Sequence, residues 1–351
     1  MQAKEYFKQN WPLFKTFRDG YETFLETGKT PVAAYHAMRQ LYCKTNGRLN
    51  DIFQFFYALK HPYRPIANKS SKVLPGFGAA DCSKAVQALN RDGYYIFPTK
   101  VPEAYLDELM RYSFEAPAIL QTDAGGRTDS QERFDPHNLI ASNYRFAESG
   151  VINVPAVQKI MADPALLSIA QQYIASEILF VNIQMWWTTP FGCTQPSSRL
   201  AQMFHFDMDR IKFMKYFLYL TDVGPNDGPH CYIRGSCKRK PEGTLEDRRF
   251  SDEELAQRFP AQEFKEICGP RGTLLAVDTR GFHKAKVPTS GNRLILQLEI
   301  ANSLFGCDYV HPELELKTTE LQAAYNRDPS IYRNYKLKEK TAAPDRQPAL
   351  V

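Results

Sequence analysis

Hydrophobic and polar positions follow two different periods along this chain. Over the first 65 residues apolar side chains recur at three- and four-residue spacing. Phe14, Phe17, Tyr21 and Phe24 form one stripe, and Tyr35, Met38 and Tyr42 continue it in a second segment. A third segment over residues 53–59 is closed by Pro62 and Pro65. The spacing predicts helices laid against a core, and residues 66–80 have the composition of a linker. Helices are predicted near 83–89 and 102–112, with a short strand over 94–97 between them. Residues 121–136 are polar and glycine-containing and read as a mobile loop of the kind that carries substrate contacts.

At Asp163-Pro164 the pattern marks a helix start, Asp as cap and Pro at the first helical position, running to about Tyr173 and feeding a strand over 177–188. Beyond it the period shortens to two. Strands are predicted at 203–209, 212–221, 230–234, 273–278 and 293–301. An insertion at 238–267 interrupts them; its Ser251-x-x-Glu254 is a capping box, and it is expected at the mouth of the core. After Pro312 the chain is expected to begin helically and to end in a flexible tail from about Ala342. The organisation expected is therefore a helical elaboration over 1–65 and a core over 66–311. A C-terminal helix and tail over 312–351 follow. Many short strands with Gly, Pro and Asn punctuation predict a mainly β fold with flanking helices, a sandwich or jelly roll.

Composition narrows the class. At 351 residues, with 43% hydrophobic and 13% aromatic content, the chain can bury a large core. No apolar run is long enough for a transmembrane helix, and the N-terminus has no signal-type apolar stretch, so a cytoplasmic location is expected. Seven scattered cysteines without a CxxC pair argue against a disulfide framework and a structural zinc site. The formal net charge is +5, and residues 1–64 carry the whole excess. That could attract an anionic substrate, carrier or surface; an ordinary solvated helical face is the favoured reading. No nucleic-acid module is present.

The candidate chemistry lies in the period-two region. His205 and Asp207, two apart, point to one side of an extended segment while Phe204, Phe206 and Met208 point to the other. His283 follows the turn after Asp278. Two imidazoles and one carboxylate make the facial set that leaves about three positions open on a non-haem Fe(II). A structural His–Asp pair is the plainer alternative. His230, in the turn after Asn226, is the rival third ligand and is assigned a structural role; Asp209 shares the ligands' parity as a rim residue. Arg293 opens an apolar strand, where a guanidinium could clamp a carboxylate through two parallel hydrogen bonds.

Taken in order, Asp92-Gly93-Tyr94-Tyr95, His205-x-Asp207, Gly228-Pro229-His230 through Ser236, Gly272–Leu275, Gly281-Phe282-His283 and Asn292-Arg293 resemble the phytanoyl-CoA dioxygenase family of Fe(II)/2-oxoglutarate oxygenases, over about residues 85–305. The resemblance implies a double-stranded β-helix core, jelly-roll and cupin-like. It implies Fe(II) on His205, Asp207 and His283, with 2-oxoglutarate and O2 as co-substrates. Arg293 would hold the distal carboxylate of 2-oxoglutarate, with Gln184 and Phe217 beside it; Phe217 stands where Trp is usual. By strand parity Asn182 and Trp186 share a face with Gln184, and Gln297 shares one with Arg293. Lys215 shares one with Phe217, as a lumen cation or a snorkelling surface lysine. The implied reaction is hydroxylation of a small-molecule or carrier-bound metabolite, releasing succinate and CO2. Asp207 counts against halogenating relatives, which have a small residue there. A cupin-type metalloenzyme without 2-oxoglutarate, or a non-catalytic binding protein of the same fold, remains open at this point. The substrate and the oligomeric state are not legible in the sequence.

Overall fold

The computed structural model describes residues 2–67, 69–122, 126–192 and 195–338. Three helices come first: α1 (Gln2–Thr27), α2 (Val32–Thr45) and α3 (Arg48–Lys60). Then follow α4 (Ala79–Asp92), β1 (Tyr94–Ile96), α5 (Glu103–Glu115), β2 (Ala118–Thr122), β3 (Gly126–Glu132) and β4 (Asn143–Phe146). After α6 (Glu148–Val151), α7 (Pro155–Met161) and α8 (Pro164–Ile174) come β5 (Leu179–Thr188), β6 (Phe213–Tyr219) and β7 (His230–Ile233). The chain continues through α9 (Asp252–Ala256), β8 (Phe264–Ile267), β9 (Leu274–Val277), β10 (His283–Ala285) and β11 (Arg293–Ala301). It closes with β12 (Glu313–Leu314), α10 (Thr319–Arg327) and β13 (Lys336–Leu337).

Two antiparallel sheets face each other as a jelly roll. The large one has the order β1-β9-β6-β11-β5-β4-β2-β3, the small one β10-β7-β8. Period two divides the large sheet's side chains between two environments. One face carries Ile183, Met185, Met214, Leu218, Leu294, Leu296 and Leu298, buried in one cluster with apolar residues of α4, α5, α7 and α8. The other faces the lumen, where Phe217, Tyr219, Leu275, Val277 and Ile295 pack with Tyr232 of the small sheet.

The start of α8 shows how local sequence sets an element. The Asp163 carboxylate accepts from the backbone N–H groups of Ala165 and Leu166, and Pro164 supplies a first turn that needs no donor. Its second oxygen takes Ser71 Oγ and the amides of Lys72 and Val73. This ties down the segment read as a linker. The described residues between 66 and 78 are irregular but packed, with Ile66, Val73, Leu74 and Phe77 buried, and 79–80 open α4.

Helices α1 and α2 pack through Phe17, Ala37, Met38 and Leu41 against Ile211 and Phe305 of the core. Gly20 allows their close approach, since a β-carbon there would meet that of Ala34. Helix α3 departs from the expected stripe. It docks through Phe53, Gln54 and Tyr57, while Ile52, Phe55, Phe56 and Leu59 stay exposed on its other side.

Three further expectations need correction, and a fourth is untested. The loop expected over 121–136 contains the hairpin strand β3, paired with β2 through Ile119↔Gln131 and Gln121↔Arg127. It stands at the edge of the large sheet, and its polar composition carries no period-two apolar signal. Residues 203–209 are extended but form only isolated bridges, Phe204↔Phe250 and His205↔His283. The segment after Pro312 begins with the short strand β12, paired in parallel to β13, before α10. The tail expected from Ala342 lies outside the described residues.

Candidate metal centre

Three side chains converge where the 203–207 segment meets β10. His205 and His283 exchange backbone hydrogen bonds, N to O at 3.0 and 2.9 Å. Reciprocal bonding puts the two residues opposite each other, and their imidazoles end on one side with centroids 4.3 Å apart. Asp207 Oδ1 is 3.6 Å from His205 Nε2, and Asp207 Oδ2 is 3.6 Å from His283 Nε2. Among the described residues this trio is the one group of such donors with ligand atoms all within 4.8 Å of one another. Phe204, Phe206 and Met208 point away and pack with Phe250 and Phe282, as alternation requires.

The hydrogen bonds around the imidazoles fix their chemistry. His205 Nδ1 lies 2.9 Å from the Met203 carbonyl oxygen and His283 Nδ1 lies 3.0 Å from that of Gly281. A carbonyl only accepts, so each Nδ1 carries the proton and each Nε2 presents a lone pair to the other two groups. Burial, with His283 next, pushes His205 down to about 3; burial also lowers His283. Both rings are neutral near pH 7, the state that binds metal. Burial alone would raise the Asp207 carboxyl, but the Lys215 ammonium holds it well below the usual carboxylate range. The arrangement is compatible with a metal ion. Gly281 is required by the turn, because a side chain there would run into the Tyr232 hydroxyl that donates to Asp278 O.

Lys215 is buried, which settles its choice of settings: it is a lumen cation. Its ammonium donates to Asp207 Oδ2 at 2.8 Å and Asp209 Oδ2 at 3.1 Å, and lies 3.7 Å from Glu299 Oε2. Asp209 is thus engaged by Lys215. Glu299, which the sequence pattern did not single out, completes the cluster, and Asn182 Nδ2 donates to it at 3.0 Å. Register explains the grouping: Glu299 stands opposite both Lys215 and Asn182. One step along, Gln297 stands opposite Gln184 and Phe217. Gln297 Nε2 is 3.4 Å from Asn182 Oδ1. Gln184 accepts a hydrogen bond from Arg145, whose guanidinium lies 5.1 Å over the Trp186 ring.

Arg293 sits four residues further along the same face, opposite Thr188. It is 3% exposed and has no carboxylate partner among the described residues. Nη1 donates to the Gly228 carbonyl, Nη2 approaches Thr188 Oγ1 at 3.4 Å, and Nε has no hydrogen-bond partner. A buried guanidinium costs free energy without a counter-charge, and burial lowers the Arg293 pKa. Between it and the trio stands His230, its ring 5.6 Å from that of His283 and 5.0 Å from that of Phe217. His230 Nε2 is buried without a partner, and burial holds the ring neutral. It lies in the lumen wall, outside the group of His205, Asp207 and His283.

His205 and Asp207 of the trio border a cavity of about 480 Å3, lined also by Asp209 and four arginines, Arg39, Arg199, Arg248 and Arg249. Residues 247–249 of the insertion form part of its rim, and Arg39 of α2 is held to Asp247 with an Nε–Oδ2 distance of 2.6 Å. These arginines are not legible in the sequence because they lie in a helix and in irregular segments where no period marks the inward side.

No protein-family model matches the chain, and no curated protein sequence matches it. Among solved structures it is similar to the non-heme alpha ketoglutarate dependent epimerase SnoN from nogalamycin biosynthesis. The identity is 14% and the TM-score 0.45, over 63% of this chain and 83% of that one. It is also similar to HygX from Streptomyces hygroscopicus with nickel and 2-oxoglutarate bound, at 16% identity and TM-score 0.44, covering 68% and 93%. A third is EctD from S. alaskensis in its apoform, at 16% identity and TM-score 0.45, covering 69% and 82%.

Proposed function

We propose that this protein is an Fe(II)- and 2-oxoglutarate-dependent dioxygenase that hydroxylates a small-molecule or carrier-bound metabolite, in the manner of the phytanoyl-CoA dioxygenase family it resembles. The observation that carries this reading is the pairing of two features in one lumen. A neutral two-His, one-carboxylate trio stands at one end, and a buried arginine without a carboxylate partner stands at the other.

His205 Nε2, His283 Nε2 and an Asp207 oxygen would hold the metal; Arg293 would hold the far carboxylate of the co-substrate. When bound, iron and 2-oxoglutarate supply oxygen activation with loss of CO2 and formation of succinate. The protein's own residues do the remaining work. The Met203 and Gly281 carbonyls keep the imidazole lone pairs aimed inward. Lys215 keeps Asp207 ionised and fixed. Phe217, Tyr219 and Ile295 exclude water from the space before Arg293. A cupin-type enzyme that uses metal alone would have no use for a buried, unpaired Arg293, and a non-catalytic binding protein would have no use for a fully oriented trio.

Anaerobic titration of the Fe(II)-loaded protein with 2-oxoglutarate tests this. The charge-transfer absorption of a chelated 2-oxo acid should develop. Arg293→Ala should need about ten- to a hundredfold more co-substrate, and Arg293→Lys less, since a charge-assisted pair contributes on the order of 1.5–3 kcal/mol. An identical titration in Arg293→Ala, with iron retained, would remove the 2-oxoglutarate assignment.

A further inference from the structure

The mouth of the metal-centre cavity carries information about what enters it. Four arginines line it against three aspartates, Asp207, Asp209 and Asp247. Most of this charge is already matched. Arg39 is held by Asp247, and Arg248 by Glu246 and Glu254 at 2.7 and 2.9 Å. Asp207 and Asp209 share the Lys215 ammonium. Arg249 differs. It is half-buried, and its Nη1 is shut off from solvent with no hydrogen-bond partner. Its position is not loose, because the next residue, Phe250, donates its backbone N–H to Phe204 O at 2.9 Å and bridges to the ligand-bearing segment. Arg249 lines the cavity with no salt bridge of its own among the described residues, so its charge is available to an anion that enters there.

We propose that Arg249 receives an anionic group of the substrate, a carboxylate or a phosphate monoester, at the mouth of the cavity that holds His205 and Asp207. This rests on the oxygenase reading for what lies at the bottom of the cavity, and it adds the substrate's chemical class. A volume of about 480 Å3 takes a molecule of metabolite size beside the metal ligands. The anionic end is anchored on the insertion, and the remainder points to His205 and Asp207, which orients one end of the substrate toward the reacting position.

The test uses the full chain loaded with nickel and 2-oxoglutarate and titrated calorimetrically with three probes of one shape: benzoate, phenyl phosphate and neutral benzamide. The wild type should bind at least one anion about tenfold or more tightly than benzamide, a charge-assisted pair being worth roughly ten- to a hundredfold. Which anion binds tighter identifies the group. Arg249→Ala should lose that preference while keeping its affinity for 2-oxoglutarate; Arg249→Lys should keep part of it, and Arg248→Ala nearly all. A wild type without preference, or an Arg249→Ala that retains it, overturns the proposal. If 2-oxoglutarate fails to bind while the Arg249-dependent preference persists in the nickel protein, the oxygenase reading fails and this inference stands. If 2-oxoglutarate binds normally and the preference is missing, the oxygenase reading stands and this inference fails.

Discussion

At the scale of single residues, the lumen works through groups whose charge state is set by what surrounds them. His283→Ala removes one of the three proposed ligands and should abolish tight metal binding, whereas His230→Ala, one ring further back, should bind metal nearly as the wild type does. Equilibrium metal titration of the two variants distinguishes them; the opposite order would make His230 the third ligand. Lys240 offers a test by pH. Its ammonium is buried over the Tyr42, Phe206 and Phe282 rings and donates to the Arg280 carbonyl at 2.6 Å. Burial first, and the Arg280 guanidinium second, push it down to about 7 from 10.5. Between those values the unfolded chain binds more protons than the folded one, so this group's contribution to stability rises with pH and is flat below about 7. Denaturation across that range should show the wild type gaining on Lys240→Met as pH increases. A constant difference would mean that Lys240 titrates normally in the folded protein. Much at this scale was legible in the sequence. The resemblance marked Gln184, Phe217 and Arg293, and alternation added Asn182, Trp186, Lys215 and Gln297 as sharing their faces, because a strand has only two sides. Glu299 was equally available to that argument and was passed over. Arg249 and Arg145 were not available in the same way, their partners being set by tertiary approach.

At the scale of elements, legibility followed how much of the signal is local. The cap of α8 and the capping box of α9 are set by four consecutive residues each, and both formed as expected. Strand β3 was missed because its residues are polar and only pairing with β2 makes them a strand. The ligand segment was read as too regular, since its partners come from β10 and the insertion and bind at isolated points. Asp163 shows how one cap can serve two elements, holding α8 with one oxygen and the 71–73 segment with the other. Asp163→Ala should therefore cost more than an ordinary cap. About 1 kcal/mol is expected from the helix and about 1–3 kcal/mol more from buried donors left without acceptors. Urea denaturation measures it; a loss of only about 1 kcal/mol would mean that the 71–73 segment finds other partners.

At the scale of the molecule, α1 to α3 are built into the jelly roll rather than appended to it. Phe17, Tyr21 and Phe24 set their rings edge-on around Phe305, and Tyr42 joins the cluster behind residues 204–208. Removing residues 1–65 uncovers Ile211, Phe305 and Phe206, each worth about 1.5–3 kcal/mol when buried. The truncated chain should melt earlier or aggregate, as thermal scans and sedimentation would show; a soluble core of unchanged Tm would mark the helices as a detachable arm. The reciprocal bonding of His205 with His283 has a consequence for the whole assembly. Strand register is counted in whole residues, and a slip of one turns every side chain to the opposite face. In a slipped pairing Phe204 and Phe206 would fill the lumen, and His205 and Asp207 would be driven together into the wall. The centre is therefore assembled digitally: whole in one register, absent in the next, with no half-built state between them for a metal ion to find.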